Sequence, residues 1–388
     1  MSARFRYNIL VFVVVISTAT LCKGDKCSFK DGSEGKCKLL KECPTAVQQI
    51  KTKDDPVICG INGTELIVCC KDEDVMEMVS TTTITSQVPS RTPGDISKQK
   101  CKEYSEYAYE KIQSPTLLLN PYVTKKLECD IQRNRLVVGS TLAARREFPH
   151  MALIGYQPSD EIRWLCGGSL ISENFVLTSA VCLFTKYDGY PKLVRIGFTN
   201  KTDPTHMQER TVSEIIPHPK HNNKKYHDIG LLKLSKDVKF STYVRPACLQ
   251  TEYYIPHILA IASGWGSLNF TNDLSNDLLA TVLEFYSVDE CNNTYRRYIR
   301  AGGNLENGIV DDLMICAGIS KSLRSTCQGD GGGPLQVYHQ ETDEVKCMYD
   351  IIGVTSFGKP CGLAKNIPDV FTRVSAYIKW IEDIVWPI

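Results

Sequence analysis

Hydrophobic positions in the C-terminal two-thirds of the chain recur as short runs, not as long helical stripes. From residue 137 onward the segments "HMALIGY", "KLVRIGF", "IGLLKL", "ILAIASGWG" and "IIGVTSF" are each bounded by Gly, Pro or Asn. That spacing predicts an all-β barrel or sandwich. The chain end breaks the pattern: Val374, Ile378, Ile381 and Val385 fall on one helical face, which predicts an amphipathic C-terminal helix. No internal repeat is visible. Upstream the pattern thins. Residues 71 to about 100, including "VSTTTITSQVPSRTPGDISK", are rich in Ser, Thr and Pro, and predict a flexible linker that cannot offset its ordering entropy by burial. Residues 101–136 predict a second connecting segment, part helical around Tyr104 to Ile112.

The first residues carry a different signal. Arg4 and Arg6 precede an apolar run from Ile9 to Ile16, then small and polar residues. This predicts a secretory signal peptide over 1–24, cut between Ala19 and Gly24. A membrane anchor is the rival, but the run is too short for hydrocarbon, which takes about 20 residues. No later stretch qualifies, so no membrane anchor is expected. Seventeen cysteines fit an oxidising, extracellular compartment. Cys22 leaves with the signal peptide. Six others crowd into residues 25–71: Cys27, Cys37, Cys43, Cys59, Cys69 and Cys70. So short a segment buries little core and depends on covalent staples. Metal binding is the rival reading, disfavoured because the cluster has no Cys-x-x-Cys pair. A net charge of +1 with 23% charged residues gives no reason to expect nucleic acid or an acidic membrane as partner. Sequons at Asn62, Asn200, Asn269 and Asn292 are candidate glycan acceptors, or bare exposed asparagines.

Several motifs in residues 137–388 agree with one another. "VVGS", "CGGSLISENFVLTSAVC", "HDIGLLKL", "ASGWG", "CQGDGGGPL", "GVTSFG" and "PDVFTRV" follow in the order found in the chymotrypsin-like serine proteases (peptidase S1). The six-cysteine segment with its terminal "CC" resembles the clip domain that precedes such proteases in arthropods. The chain is thus similar to clip-domain serine proteases of the Snake type, which act in extracellular zymogen cascades. The resemblance implies a chymotrypsin-like double β-barrel over 137–388, ending in a helix and preceded by a clip domain at 25–71 and a connecting segment at 72–136.

That family's mechanism needs a serine nucleophile, a histidine base and a buried aspartate that orients the histidine. Carried over by motif, the histidine position is Val181, the serine position is Gly331, and only the aspartate, Asp228, is kept. Valine carries no proton and glycine forms no acyl-enzyme. Ser179 and Ser325 have no base beside them. His227 adjoins Asp228, and strand alternation would turn it to the opposite face, so it reads as structural. The family places a serine, here Ser356, against the aspartate. Ser356 and backbone amides near Ala180 and Val181 are expected to satisfy Asp228; the alternative is that it takes up a proton.

The backbone of Gly329 and Gly331 is expected to retain an oxyanion hole. The specificity pocket implied by the resemblance is bounded by Ser325, Ser356, Gly358 and Asp369. Ser325 replaces an aspartate at the floor, and Asp369 replaces a glycine, which predicts a narrowed pocket or a lure for a basic side chain. Activation in this family frees an amine that pairs with the aspartate before the nucleophile. Here that implies a cut between Leu136 and Val137 with Asp330 as partner; the alternative is an uncut relic. Family pairing implies Cys27–Cys69, Cys37–Cys59, Cys43–Cys70, Cys129–Cys248, Cys166–Cys182, Cys291–Cys316 and Cys327–Cys361. Cys101–Cys347 follows by remainder, with free or intermolecular thiols as the alternative. No metal or cofactor is expected. The reading is a secreted, inactive protease homologue acting as cofactor, scaffold or decoy in an innate immune, melanisation or Toll-type cascade. Its partners would be clip-domain proteases or their substrates. The alternatives are an active serine-type endopeptidase with an unusual mechanism, or a clip-mediated binder of microbial surfaces.

Overall fold

The computed structural model describes residues 22–71 apart from 24–25, 30, 44, 47–48, 50–55 and 63–64; 91–113; 123–132; and 140–387 apart from 223, 267–273, 302, 320–329 and 359–366. The chain divides into two compact units, Met1–Ser90 with Tyr253–Ile258, and Arg91–Glu252 with Leu259–Ile388.

The smaller unit is an antiparallel sheet of β1 (Cys22–Lys23), β2 (Lys26–Ser28), β3 (Glu34–Leu39), β4 (Ile58–Asn62) and β5 (Glu65–Cys70), in the order β1-β2-β3-β5-β4. Strand β1 lies in the stretch read as a signal peptide, whose removal would take that strand with it. The core is small: Leu40, Cys43, Ala46, Val68 and Cys70. Two disulfides, Cys27–Cys69 and Cys43–Cys70, staple it. The sulfurs of Cys27, Cys37 and Cys59 lie within 4.8 Å of one another. Within this cluster Cys27 is committed to Cys69.

The larger unit begins earlier than the sequence pattern predicts. Helix α1 (Asp95–Ser105) starts inside the Ser/Thr/Pro-rich stretch. Glu382, from the far end of the chain, caps it: Oε1 accepts from Ser97 N at 2.9 Å and Ser97 Oγ at 2.7 Å, and Gly94 N donates at 3.1 Å. A carboxylate at a helix N-terminus satisfies orphan N–H donors and complements the dipole. The helix stops at Ser105. Tyr109–Gln113 (β6) is not helical but pairs with Val123–Leu127 (β7) in a two-stranded ribbon.

Six antiparallel strands close the first barrel: β9 (Met151–Tyr156), β10 (Arg163–Leu170), β11 (Phe175–Thr178), β12 (Pro191–Ile196), β13 (Gln208–Pro217) and β14 (Gly230–Leu234), in the order β10-β11-β14-β13-β12-β9. The second barrel is built from β16 (Leu259–Gly264), β17 (Leu279–Tyr286), β18 (Met314–Gly318), β19 (Pro334–Tyr338), β20 (Tyr349–Phe357) and β21 (Asp369–Arg373), closed by the β20–β21 pairing. Short strands β8 (Ser140–Leu142) and β15 (Cys248–Leu249) flank it.

The period-2 rule explains the continuous apolar run in β9. Ala152, Ile154 and Tyr156 point into the first barrel. Met151 and Leu153 point the other way and pack with Ile261, Trp265 and Ala280 of the second barrel's sheet region. In β11, Val176 faces the barrel core while Phe175 and Leu177 meet Val354, Ile378 and Ile381. Helix α2 (Val288–Arg300) carries a Ser287/Glu290 capping box. Helix α3 (Ile378–Val385) follows a 3-10 turn at Val374–Tyr377 and buries Ile378, Ile381 and Val385, the face read from the sequence. Among the described residues, no helix is long and apolar enough to cross a membrane.

Two disulfides correct the expected pairing. Cys101 bonds Cys248, not Cys347, and Cys129 bonds Cys347, not Cys248. The reason is packing: α1 lies on β15, and Cys101, Tyr104, Cys248, Val345 and Met348 share one apolar cluster. Either pairing ties residues 91–132 to the barrels, so the exchange keeps both tethers. Asp130 adds a third anchor, bound by Arg146 Nε at 3.1 Å and Nη2 at 3.2 Å.

Candidate functional site

The seam between the barrels brings together the positions assigned to the triad. Thr178 ends β11, and a single 3-10 turn, Ala180–Cys182, follows. Disulfide Cys166–Cys182 and the Tyr156 Oη donation to Cys182 O at 2.5 Å fix that turn. On it, Val181 N donates to Asp228 Oδ1 at 2.9 Å. Ser356 Oγ, on β20, donates to the other oxygen, Oδ2. Thr372 Oγ1, on β21, donates to the Asp228 carbonyl at 2.7 Å. Asp228 is fully buried, and burial raises its pKa above the usual carboxylate range, against the opposing pull of Ser356 and Val181 N–H. Two hydrogen bonds, from Val181 N and Ser356 Oγ, hold the carboxyl group, and His221 adds a smaller electrostatic pull.

The neighbouring His227 is engaged elsewhere. It precedes β14 and is not a strand residue; its φ is 55°. Its Nδ1 lies 3.0 Å from Tyr377 Oη, and its ring stacks on His218. Burial, then Lys220, lowers its pKa. Ser179 Oγ is buried and has no hydrogen-bond partner among the described residues. A hydroxyl with no base cannot be activated.

Gly331 lies against the same turn. Its carbonyl accepts from Gly167 N at 2.9 Å. A methyl group built on Gly331 would meet only Cys182 Sγ, at 3.9 Å, so the side-chain space of a nucleophile is open. Gly332 differs sharply. Its φ is +77°, and a methyl group there would stand 2.1 Å from Thr178 Oγ1 and 2.6 Å from Gly167 O. Only glycine fits. Asp330 Oδ1 accepts from Gly266 N at 2.9 Å. Gly329, Ser325, Leu136, Val137 and the Cys327–Cys361 pair lie outside the described residues.

At the position that the resemblance assigns to the pocket wall, Asp369 is buried, and its Oδ1 would stand 2.0 Å from a methyl group added to Gly358. Its carboxylate fills the space that a glycine would leave. Next to it, Lys225 Nζ lies 5.2 Å over the Phe357 ring. That contact was missed from the sequence, because Lys225 and Phe357 are 132 positions apart and carry no shared motif.

The candidate glycan sites are variously engaged. Asn200 Nδ2 donates to Asp277 Oδ1 at 2.6 Å, and its Oδ1 accepts from Thr202 N at 2.8 Å. Asn292, on α2, accepts from Ile309 N at 2.8 Å. Asn62 is on β4, and Asn269 is outside the described residues.

Two closed six-stranded barrels with an Asp–Ser pair at their seam define a chymotrypsin-like serine protease fold. Comparison with known proteins agrees. The profile of the Trypsin family matches residues 137–381. The chain is 34% identical over 367 residues to the Drosophila melanogaster protein named Serine protease snk, covering 92% of this chain and 77% of that one. It is 38% identical over 248 residues to Serine protease Hayan of the same species, covering 63% of this chain and 38% of that one. It is 27% identical over 393 residues to CLIP domain-containing serine protease B4 of Anopheles gambiae, covering 94% and 92%. The chain belongs to the trypsin family, and its relatives include arthropod serine proteases, one of them named for its CLIP domain.

Proposed function

We propose that this chain is a secreted clip-domain serine protease homologue without catalysis, and that it acts as a cofactor, scaffold or decoy in an extracellular proteolytic cascade of innate immunity. One observation carries the reading. The base and nucleophile positions hold Val181 and Gly331, while Asp228, the barrels and the tethering disulfides persist. In a comparable triad, loss of the serine or histidine alone lowers turnover by about 10⁶. Asp369 beside Gly358 supports loss of substrate side-chain binding as well. Similarity to the Bombyx mori protein named Phenoloxidase-activating enzyme, 28% identical over 393 residues, supports a cascade setting, with clip-domain proteases or their substrates as partners. The proposal includes removal of residues 1–24, a cut between Leu136 and Val137 with the new amine on Asp330, the Cys37–Cys59 and Cys327–Cys361 bridges, and glycans at exposed sequons. The cut chain would stay joined through Cys101–Cys248 and Cys129–Cys347.

The experiment adds the purified, cleaved protein to active clip-domain proteases and their zymogen substrates. The rate of substrate processing changes if the reading is right. No change for any protease of the cascade would remove it.

A further inference from the structure

The root of the dismantled site continues into a short, rigid loop that displays apolar side chains to solvent. Val181 is 41% exposed, Phe184 55%, Tyr187 81% and Tyr190 56%. Four large exposed apolar side chains within ten residues are more than scatter, since single exposed ones are the norm. The loop is not loose. Thr185 and Gly189 exchange backbone hydrogen bonds at 2.9 and 3.0 Å. Thr185 Oγ1 donates to Asp188 Oδ2 at 3.2 Å and accepts from Asp188 N at 2.9 Å. Arg163, on β10, clamps the Asp188 carboxylate. Leu183 and Pro191 are buried and pin both ends. Phe184 and Tyr190 touch, with ring centroids 5.0 Å apart, and Lys186 Nζ stands 5.7 Å over Tyr187.

Within residues 181–192 the exposed charge has one sign, while exposed Asp160 and Glu161 belong to the neighbouring hairpin between β9 and β10. Between residues 181 and 192 the exposed charged side chains are Lys186 and Lys192. The single carboxylate of the segment, Asp188, is buried and paired with Arg163. Rigid aromatic rings lose little conformational entropy on binding, and Tyr is enriched among the residues that dominate interface energetics. Elsewhere Asp369 sits against Gly358, and Lys225 lies over the Phe357 ring.

We infer that residues 181–192 form a docking surface for an acidic peptide segment bearing aromatic or aliphatic side chains. The inference rests on the cofactor reading only for the role of the protein that carries the segment. Occupancy does not require a triad, because the surface uses side chains of the loop and not the nucleophile position. Val181 belongs to it: where a protease needs an imidazole, this chain extends the apolar surface toward the groove.

The test uses the full cleaved chain and two labelled synthetic peptides, one alternating aspartate with leucine and phenylalanine, the other with lysine in place of aspartate. Fluorescence anisotropy is expected to show saturable binding of the acidic peptide, at least about tenfold tighter than the basic one. Phe184→Ala with Tyr187→Ala, both solvent-facing, lowers that affinity about tenfold or more. Lys186→Glu with Lys192→Glu reverses the preference between the peptides. Absence of saturable binding, equal affinity for both peptides, or indifference to both pairs of substitutions would overturn the inference. So would a dimer in sedimentation that the aromatic substitutions dissolve, which would assign the surface to a second copy. Cascade stimulation is measured in parallel. Stimulation that survives the substitutions retires the docking surface and leaves the cofactor reading standing, whereas absent stimulation with intact peptide binding does the reverse.

Discussion

The buried underside of the site and its solvent-facing rim have diverged. Underneath, Asp228 keeps Ser356, Val181 N–H and Thr372, and Asp330 keeps Gly266 N–H. On the rim stand exposed Val181 and half-buried Gly331, at the positions that the family resemblance assigns to base and nucleophile. The difference follows from what each group does for the fold. A buried polar atom that loses its partner costs about 1–3 kcal/mol. A solvent-facing nucleophile carries no such cost, and the loss of a base that bonds the aspartate is offset where Val181 N–H and Ser356 Oγ hold that carboxyl group. Chemistry can leave such a site while architecture stays.

The largest expected effect comes from rebuilding the rim. Gly331→Ser has room, since its Cβ meets only Cys182 Sγ at 3.9 Å, and Val181 is exposed. The double variant Val181→His, Gly331→Ser is expected to gain peptide turnover about 10³-fold or more above the unsubstituted protein, out of the ~10⁶ a full triad supplies. Each single variant stays at background. Adding Asp369→Gly, which reopens the space beside Gly358, raises the double variant's kcat/KM further. A peptide-library assay reads both. If the double variant is as silent as its parents, the underside is not the intact support described here.

Adjacent glycines give the next contrast. Gly332→Ala places a methyl group 2.1 Å from Thr178 Oγ1 at a φ of +77° and is expected to cost about 3 kcal/mol. Gly331→Ala, in open space, is expected to stay within about 0.5 kcal/mol. Urea unfolding of the two variants measures the gap, and equal costs would break the distinction between underside and rim.

Much of this fold is legible in the sequence because barrels obey a period of two. The run "MALIGY" is apolar throughout because β9 faces its own barrel on one side and the neighbouring sheet on the other. Motif glycines made the Asp369 substitution legible as well. Other features depend on distant residues converging. Helix α1 begins at Asp95 because Glu382 caps it, and no local pattern announces a partner 285 positions away from Ser97. Four cysteines, Cys101, Cys129, Cys248 and Cys347, converge on one side, so spacing could not choose between the two pairings. The aromatic loop at 184–190 reads as ordinary turn chemistry until its exposure is seen.

A smaller effect concerns pH. Burial raises the pKa of folded Asp228 above its unfolded value of 3.8. The folded state thus holds that proton more tightly than the unfolded chain does. The resulting stabilisation is present in acid and is lost as pH rises from near 3.8 through the raised folded pKa. Asp228→Asn has no proton to lose. Its stability relative to the parent is expected to improve from pH 4 to pH 7, read from paired denaturant curves. A change in the opposite direction would mean that the Ser356 and Val181 hydrogen bonds outweigh burial.

The central claim is that positions 181 and 331 cannot pass a proton or hold an acyl group. The most direct measurement treats the purified, cleaved chain with a fluorophosphonate that labels active serine hydrolases and weighs the intact protein by mass spectrometry. The account predicts an unshifted mass while trypsin in the same tube is fully labelled; a stoichiometric adduct on this chain would contradict it.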